Sequence, residues 1–126
     1  MRAVDTNILV RLFTGDDPKQ AERAKQFVRP GAWVSHIVLV ETLWVLQSVY
    51  DRTNKEIGQA VALLLSNESV ILQEPEVVAA ALNLFTRNKG VSFSDCLMLS
   101  LAQRSGHSPL GTFDVKLAKI DGAILI

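Results

Sequence analysis

The sequence is poor in the features that mark secreted and membrane proteins. It has one cysteine, Cys96, so no disulfide can form within the chain, and a reducing compartment such as the cytoplasm fits this composition. No apolar run approaches the roughly 18 residues of a membrane span. The N-terminus also has no basic region followed by an apolar stretch. We therefore expect neither a membrane association nor a signal peptide.

Neither sign of charge is in excess. Thirteen basic residues balance thirteen acidic ones, which argues against the strong global positive field of a nonspecific DNA-binding protein and leaves room only for a local basic strip. The chain has 126 residues, of which 48% are hydrophobic. A chain of this size can bury roughly two thirds of its unfolded surface. We predict one domain that spans residues 1–126.

Strand and helix patterns alternate along the chain. Short apolar strand patterns lie at 1–4, 32–35, 70–72, 109–112 and 123–126. Helical patterns lie between them, and three of these begin at cap signals, Asp17, Thr53 and Ser92. The alternation predicts an α/β fold, with a central parallel sheet of four to five short strands and helices on both faces.

Four acids stand outside the caps, turns and polar helix faces that hold the other carboxylates. Asp5 and Asp114 directly follow strands, Asp95 lies in the first turn of a helix, and Glu41 stands alone in the apolar run 37–46. In an open parallel sheet, ligands bind in the crevice at the carboxyl ends of the strands. We expect all four acids to lie near that edge.

Glu41 is the most informative of the four. Its helical neighbours three and four residues away are all apolar, namely Ile37, Val38, Trp44 and Val45. We therefore expect the Glu41 carboxylate to be largely surrounded by apolar groups. Burying an unpaired carboxylate costs several kcal/mol unless a cation or hydrogen-bond donors compensate for it. The alternative to a bound cation is a core salt bridge to an arginine such as Arg11 or Arg104.

The other three acids also have a structural alternative, because each could cap or begin a helix. If all four converge, however, each close pair repels by roughly 4 kcal/mol at an effective dielectric constant of 20, and a divalent cation is needed to offset this repulsion. Cys96, His36 and His107 have no usable ligand spacing. An all-oxygen ligand set favours Mg²⁺ or Mn²⁺ over zinc.

In their order and spacing, these motifs resemble the PIN-domain nucleases over almost the whole chain. Its overall length is most similar to the VapC-type toxins of prokaryotic toxin–antitoxin pairs. The motifs are Asp5-Thr6-Asn7-Ile8-Leu9, Ser35 before Glu41-Thr42-Leu43, Ser94-Asp95-Cys96-Leu97 and Thr112-Phe113-Asp114.

The resemblance implies a single PIN-like domain that hydrolyses RNA as a Mg²⁺- or Mn²⁺-dependent endoribonuclease. It further implies a homodimer that is kept inactive by a small antitoxin whose tail covers the acidic site. The four acids match the catalytic, metal-binding quartet of the family, with three supporting residues: Asp5, Glu41, Asp95 and Asp114, supported by Asn7, Ser35 and Thr112. Lys116 stands where many relatives have a further acid, which puts a second metal ion in question.

The expected mechanism is metal-assisted hydrolysis of an RNA phosphodiester. Asp5, Asp95 and Asp114 would hold the ion, and Glu41 would bind it directly or through water and help orient the attacking water. Thr112 would fix a carboxylate or a water through its hydroxyl. The candidate phosphate contacts are basic residues near these motifs: Arg11, Lys89, Lys116 and Lys119.

Two other classes of protein also have to be considered. An aspartate-based phosphoryl-transfer enzyme needs a second acid two residues after the first, where this chain has Asn7, and a receiver domain usually has paired acids where Asp5 stands single. The remaining alternative is a non-catalytic interaction protein in which the acids only cap helices. Trp33, Trp44 and Tyr50 lie on or beside the most apolar helix, and we predict that they form a partner-binding surface.

Overall fold

A computed structural model describes all residues, 1–126. The chain forms two compact units, Met1–Pro75 and Glu76–Ile126. Short parallel strands alternate with helices in both units, which confirms the predicted α/β fold. The prediction of one domain over residues 1–126 stays a prediction.

The first unit is built on a three-stranded parallel sheet in the order β1-β2-β3. Ala32 of β2 pairs with Arg2 of β1 on one side and with Val70 of β3 on the other. The strands are β1 (Arg2–Ala3), β2 (Ala32–Val34) and β3 (Val70–Leu72). The helices of this unit are α1 (Thr6–Thr14), α2 (Pro18–Val28), α3 (His36–Ser48) and α4 (Asn54–Ser66).

Side chains on this sheet alternate between a buried and a more open face. Ala32 and Val34 are fully buried, whereas Trp33 between them is 37% exposed. Successive strand residues point to opposite faces, so this alternation places the core of the unit against one side of the sheet. The strand carboxyl ends, with Asp5 and Ser35 just beyond them, lie at a common edge.

The second unit contains α5 (Pro75–Arg87), which begins at the boundary, followed by α6 (Phe93–Arg104), β4 (Leu110–Thr112), α7 (Val115–Ala118) and β5 (Ala123–Leu125). β4 and β5 pair in parallel, with Thr112 opposite Leu125. Phe85 and Phe93 meet edge to face with their ring centroids 5.9 Å apart, which joins α5 to the start of α6.

The five strands hydrogen-bond as two parallel sheets of three and two strands. The predicted number and parallel pairing of strands agree with this, but the sequence pattern had suggested one sheet. Apolar runs and turn signals define where each strand lies along the chain, whereas its hydrogen-bonding partner is a residue far away in sequence.

The three predicted helix caps are present. The side chains of Asp17, Thr53 and Ser92 each accept a hydrogen bond from the backbone N–H three residues later. Thr53 also receives the reciprocal bond, because its own N–H donates to Glu56 Oε1 at 3.0 Å. Ser35, predicted as the last residue of a strand, instead caps α3 and accepts from the N–H of Val38.

No helix in the structure combines the length and the apolar character needed to cross a membrane.

Candidate active site

Asp5 is the first residue past the hydrogen-bonded part of β1. The N–H of Val4 donates to the carbonyl of Trp33 at 3.2 Å, and the Asp5 side chain then caps α1 by accepting from the N–H of Ile8 at 3.1 Å. The helix-cap alternative is therefore observed. It uses only Oδ1, and because the residue is exposed, Oδ2 is open to a cation. Capping and cation binding are compatible at Asp5.

Glu41 is joined to the same region through Thr6. The Thr6 hydroxyl donates to Glu41 Oε1 at 2.5 Å, which links the first turn of α1 to the middle of α3. Because Thr6 follows Asp5 directly, the bond places Asp5 and Glu41 at the same end of α1.

The predicted burial of Glu41 is wrong, because the side chain is exposed. Ile37, Glu41 and Trp44 repeat at helical spacing along one open face of α3, where Ile37 is 79% and Trp44 is 64% exposed. An all-apolar pattern had suggested an interior helix, but only the opposite face of α3, which carries Leu39, Leu43 and Leu46, is buried.

The salt-bridge alternative for Glu41 is not observed either. Arg11 pairs with Asp16 at 2.9 Å, and Arg104 pairs with Glu76 at 3.6 Å. The protein partner of the Glu41 carboxylate is a hydroxyl, so no cation from the protein neutralises this acid. This leaves an exposed carboxylate that is oriented by Thr6, the residue after Asp5.

Asp95 lies in the first turn of α6, where it is half-buried. Its backbone N–H donates to the capping Ser92 Oγ at 3.2 Å, while its carboxylate takes no part in the cap. Burial, together with the Asp95 charge, raises the pKa of the neighbouring Cys96 thiol to about 11. Cys96 is thus a neutral core residue, as its place in the helix predicted, and not a nucleophile.

Asp114 caps α7, so for this acid too the helix-cap alternative is observed. Its Oδ1 accepts from the N–H of Lys116 at 2.8 Å and from that of Leu117 at 3.1 Å. Thr112 Oγ1 accepts from the N–H of Asp114 at 3.0 Å, so Thr112 fixes the backbone of this acid and not its carboxylate. As with Asp5, the cap occupies one carboxylate oxygen.

The supporting residues differ in what they do. Asn7 is exposed in the first turn of α1 and lines a pocket together with Asp5. The Ser35 hydroxyl is engaged as the cap of α3, which makes it a positioning residue for the helix that carries Glu41. Thr6 was missed as a partner of Glu41. The two residues are 35 positions apart in sequence. The only sequence signal for this contact was the hydroxyl of Thr6 directly after Asp5.

The chemistry of the four carboxylates fits a hard cation such as Mg²⁺ or Mn²⁺, which binds oxygen ligands. The structure contains no group of three or more His, Cys, Asp or Glu side chains arranged to hold a metal ion. Two of the acids, Asp5 and Glu41, belong to the first unit, and Asp95 and Asp114 belong to the second. The convergence of all four on one ion stays a prediction.

Among the predicted phosphate contacts, Arg11 is already engaged. Its Nη1 donates to Asp16, whose pKa is held below its ordinary value first by the Tyr50 hydroxyl and also by Thr14 and Arg11, against an opposing effect of desolvation. The Lys116 side chain lies over Gly90, where an added Cβ would be 2.8 Å from Nζ. Lys89 and Lys119 are exposed.

Comparison with known proteins identifies the family. The model of the PIN domain family matches residues 2–123. The chain belongs to the PIN-domain family. The resemblance found in the motifs is thereby confirmed, and the receiver-domain and aspartyl phosphoryl-transfer alternatives lose their support for this PIN protein.

Two solved structures are similar to this PIN protein. The crystal structure of VapC20 from Mycobacterium tuberculosis, a toxin that cleaves the sarcin-ricin loop, shares 20% identity with a TM-score of 0.45 and covers 94% of this chain and 93% of its own. A toxin–antitoxin complex from Klebsiella pneumoniae shares 23% identity with a TM-score of 0.38. The match covers 98% of this chain and 96% of the chain in that complex. No curated protein matches. The family assignment rests on the match over residues 2–123.

Proposed function

We propose that this PIN protein is a Mg²⁺- or Mn²⁺-dependent endoribonuclease and the toxin of a toxin–antitoxin pair. The observation that carries the proposal is the family match over residues 2–123, because PIN domains are nucleases. The acids at the family's motif positions support it: Asp5, Glu41, Asp95 and Asp114. Such an enzyme would act on RNA in the cytoplasm.

In this proposal Asp5, Asp95 and Asp114 would hold the metal ion, and Glu41 would bind it directly or through a water. When bound, such an ion would lower the pKa of a bound water and offset charge on the phosphate oxygens. Asp5 and Asp114 offer the carboxylate oxygens that their helix caps leave free. Thr6 fixes one oxygen of Glu41, so that the other can orient the attacking water.

The proposal predicts that purified protein cleaves RNA in Mg²⁺ or Mn²⁺ at least about a hundredfold faster than in excess EDTA, and that adding Mg²⁺ back restores the rate. Gel analysis of a labelled RNA over time measures this. The Asp5→Asn protein, purified in the same way, controls for contaminating ribonucleases. Cleavage that persists undiminished in EDTA, or equally in the Asp5→Asn protein, would contradict the proposal.

The open face of α3 provides the proposed surface for a homodimer. Of the three aromatic residues predicted for a partner surface, Trp44 lies on this face, whereas Trp33 is 37% exposed on β2 and Tyr50 is half-buried with its hydroxyl on Asp16. Ile37 and Trp44 are 79% and 64% exposed and form an apolar stripe with Glu41 between them. An exposed stripe of large apolar side chains marks an interaction site in a monomer of this size. A two-fold axis across α3 would bury the same side chains from both copies. A small antitoxin is the other proposed partner.

Replacing Trp44 in this stripe should weaken the dimer. We expect Trp44→Lys to raise the dimer dissociation constant by at least about tenfold, because a charge replaces a large buried ring at the interface. Light scattering over a range of concentrations measures the change. Leu63→Lys is the matched control, since Leu63 is 62% exposed on α4. A wild-type protein that is strictly monomeric at high concentration, with no partner recovered from cells, would contradict the proposed surface.

A further inference from the structure

A surface pocket of about 320 Å³ opens beside Asp5. It lies between α1 and α2, within the first unit. Its wall includes one acid of the proposed catalytic set together with cations, amides and an aromatic ring: Asp5, Asn7, Arg11, Gln20, Arg23 and Phe27. Apart from Asp5 and Asn7, none of these residues belongs to the motifs of the acidic site.

Two arginines line the pocket: Arg11, which is bound by other side chains, and Arg23, which is not. The Arg11 guanidinium is held by Asp16 at 2.9 Å and by Gln20 Oε1 at 2.7 Å. Arg23 is exposed and forms no ion pair. A guanidinium with no protein partner is suited to bind the oxygens of a phosphate through two parallel hydrogen bonds.

The apolar part of the pocket lining includes the Phe27 ring, which is held in place by Arg2. Phe27 is half-buried, and the Arg2 guanidinium, which does not line the pocket, covers one face of its ring at 3.9 Å from the centroid. Arg2 Nη2 also donates to the Phe27 carbonyl at 2.9 Å, which fixes the backbone at this position. Ile8 and Ala24 complete the apolar lining. Unpaired nucleobases bind proteins by stacking on such aromatic surfaces.

Amide groups supply the polar edge of the pocket. Asn7 has both a donor and an acceptor, and Gln20, whose oxygen accepts from Arg11, keeps its NH₂ group as a donor. The pocket volume of about 320 Å³ lies at the lower end of the range of about 300 to 1,000 Å³ for small-molecule sites. A single nucleotide unit is a ligand of this size class.

We propose that this pocket binds one unpaired nucleotide of the RNA strand, next to the phosphodiester that is cut at Asp5. The base stacks on the face of the Phe27 ring that Arg2 leaves free, with its polar edge toward Asn7 and Gln20, and a flanking phosphate binds Arg23. The inference rests on the proposed ribonuclease function and assigns substrate contacts to Gln20, Arg23 and Phe27, which lie outside the acidic motifs. An acidic peptide could use the arginines, but it has no planar base to stack on the Phe27 ring.

The phosphate contact is tested with Arg23→Gln against Arg29→Gln, which changes the C-cap arginine of the same helix away from the pocket. Fluorescence anisotropy with a short single-stranded RNA in EDTA gives the dissociation constant. We expect it to rise about five- to tenfold in Arg23→Gln, and the slope of log K against log salt to fall by about 0.7, the value for one phosphate. Under cleavage conditions KM should rise similarly, with kcat changed less than about twofold. Arg29→Gln should match the wild type.

The base contact is tested with Phe27→Leu against Phe13→Leu, since Phe13 is also half-buried but lines other pockets. We expect Phe27→Leu to bind the RNA about tenfold more weakly, the loss typical of one stacked base, and Phe13→Leu to bind like the wild type. A ribose-phosphate probe without bases should bind Phe27→Leu and wild type equally. Thermal melts verify that each variant is folded.

The outcomes separate the pocket from the proposed function. If the wild type cleaves RNA but Arg23→Gln behaves like Arg29→Gln, or Phe27→Leu like Phe13→Leu, the nuclease stands and the nucleotide pocket is wrong. If the wild type binds RNA with the expected variant differences but cleaves none, the pocket stands and the proposed nuclease function is wrong. A wild type that binds no single-stranded RNA overturns the pocket.

Discussion

Asp5→Asn is expected to slow RNA cleavage about a thousandfold while the protein stays folded. The substitution removes the charge that would hold the metal ion, and a thousandfold loss corresponds to about 4 kcal/mol of transition-state stabilisation. The cap of α1 should survive, because asparagine caps helices as well as aspartate does and can still accept from the N–H of Ile8. Steady-state cleavage of a labelled RNA and a thermal melt in EDTA measure the two properties.

The chain offers a close control for this variant. Asp17 caps α2 as Asp5 caps α1, since both accept an N–H from the residue three positions later at 3.1 Å. Asp17→Asn should therefore change stability as little as Asp5→Asn, within about 1 kcal/mol, yet keep full cleavage. If both variants lose cleavage, or neither does, Asp5 is not a metal ligand.

Metal binding supplies an independent measurement on the same variant. At a hundredfold excess over its dissociation constant, Mg²⁺ should stabilise the wild-type protein by about 2.7 kcal/mol. This gain should shrink in Asp5→Asn and remain in Asp17→Asn. An equal gain in all three proteins would place the ion away from Asp5.

Glu41→Gln has the second largest expected effect, a loss of cleavage of several hundredfold, or about 3.5 kcal/mol. Glutamine keeps an oxygen that can accept from the Thr6 hydroxyl but loses the negative charge. Glu41 is exposed and has no ion pair, so removing its charge should change metal-free stability by less than about 1 kcal/mol. Breaking a buried salt bridge would instead cost about 3 to 5 kcal/mol.

Variants at Glu22 and Thr6 serve as controls for Glu41→Gln. Glu22→Gln, on the exposed face of α2, should leave cleavage unchanged. Thr6→Val, which removes the donor to Glu41, should slow cleavage about tenfold, whereas Thr6→Ser, which keeps the hydroxyl, should restore most of it. A fall of several kcal/mol in the metal-free stability of Glu41→Gln would show that Glu41 is a structural residue.

The structure changes how the acids of this site should be interpreted. From the sequence, helix capping and cation binding were alternatives for Asp5 and Asp114. Both residues do cap helices, but each uses Oδ1 alone. A carboxylate has two oxygens with several acceptor positions, so a helix N-terminus can fix a metal ligand in place instead of competing for it.

The sequence by itself determined the features that depend on neighbouring residues. Strand positions, helix starts and the caps at Asp17, Thr53 and Ser92 all follow from periodicity and from hydrogen bonds that reach three or four residues along the chain. The order of the acidic motifs also led to the PIN family, because motif order is a property of the chain and is independent of its packing.

Only the tertiary structure decided which distant residues meet. It divided the strands into sheets of three and two, turned the face of α3 that carries Glu41 to the solvent, and paired Arg11 and Arg104 with other acids. It also brought the Thr6 hydroxyl to Glu41 across 35 residues. These contacts depend on how whole helices and strands pack. A helix that is apolar on every side does not specify which side faces water, so the neighbours of Glu41 in sequence could not predict its neighbours in space.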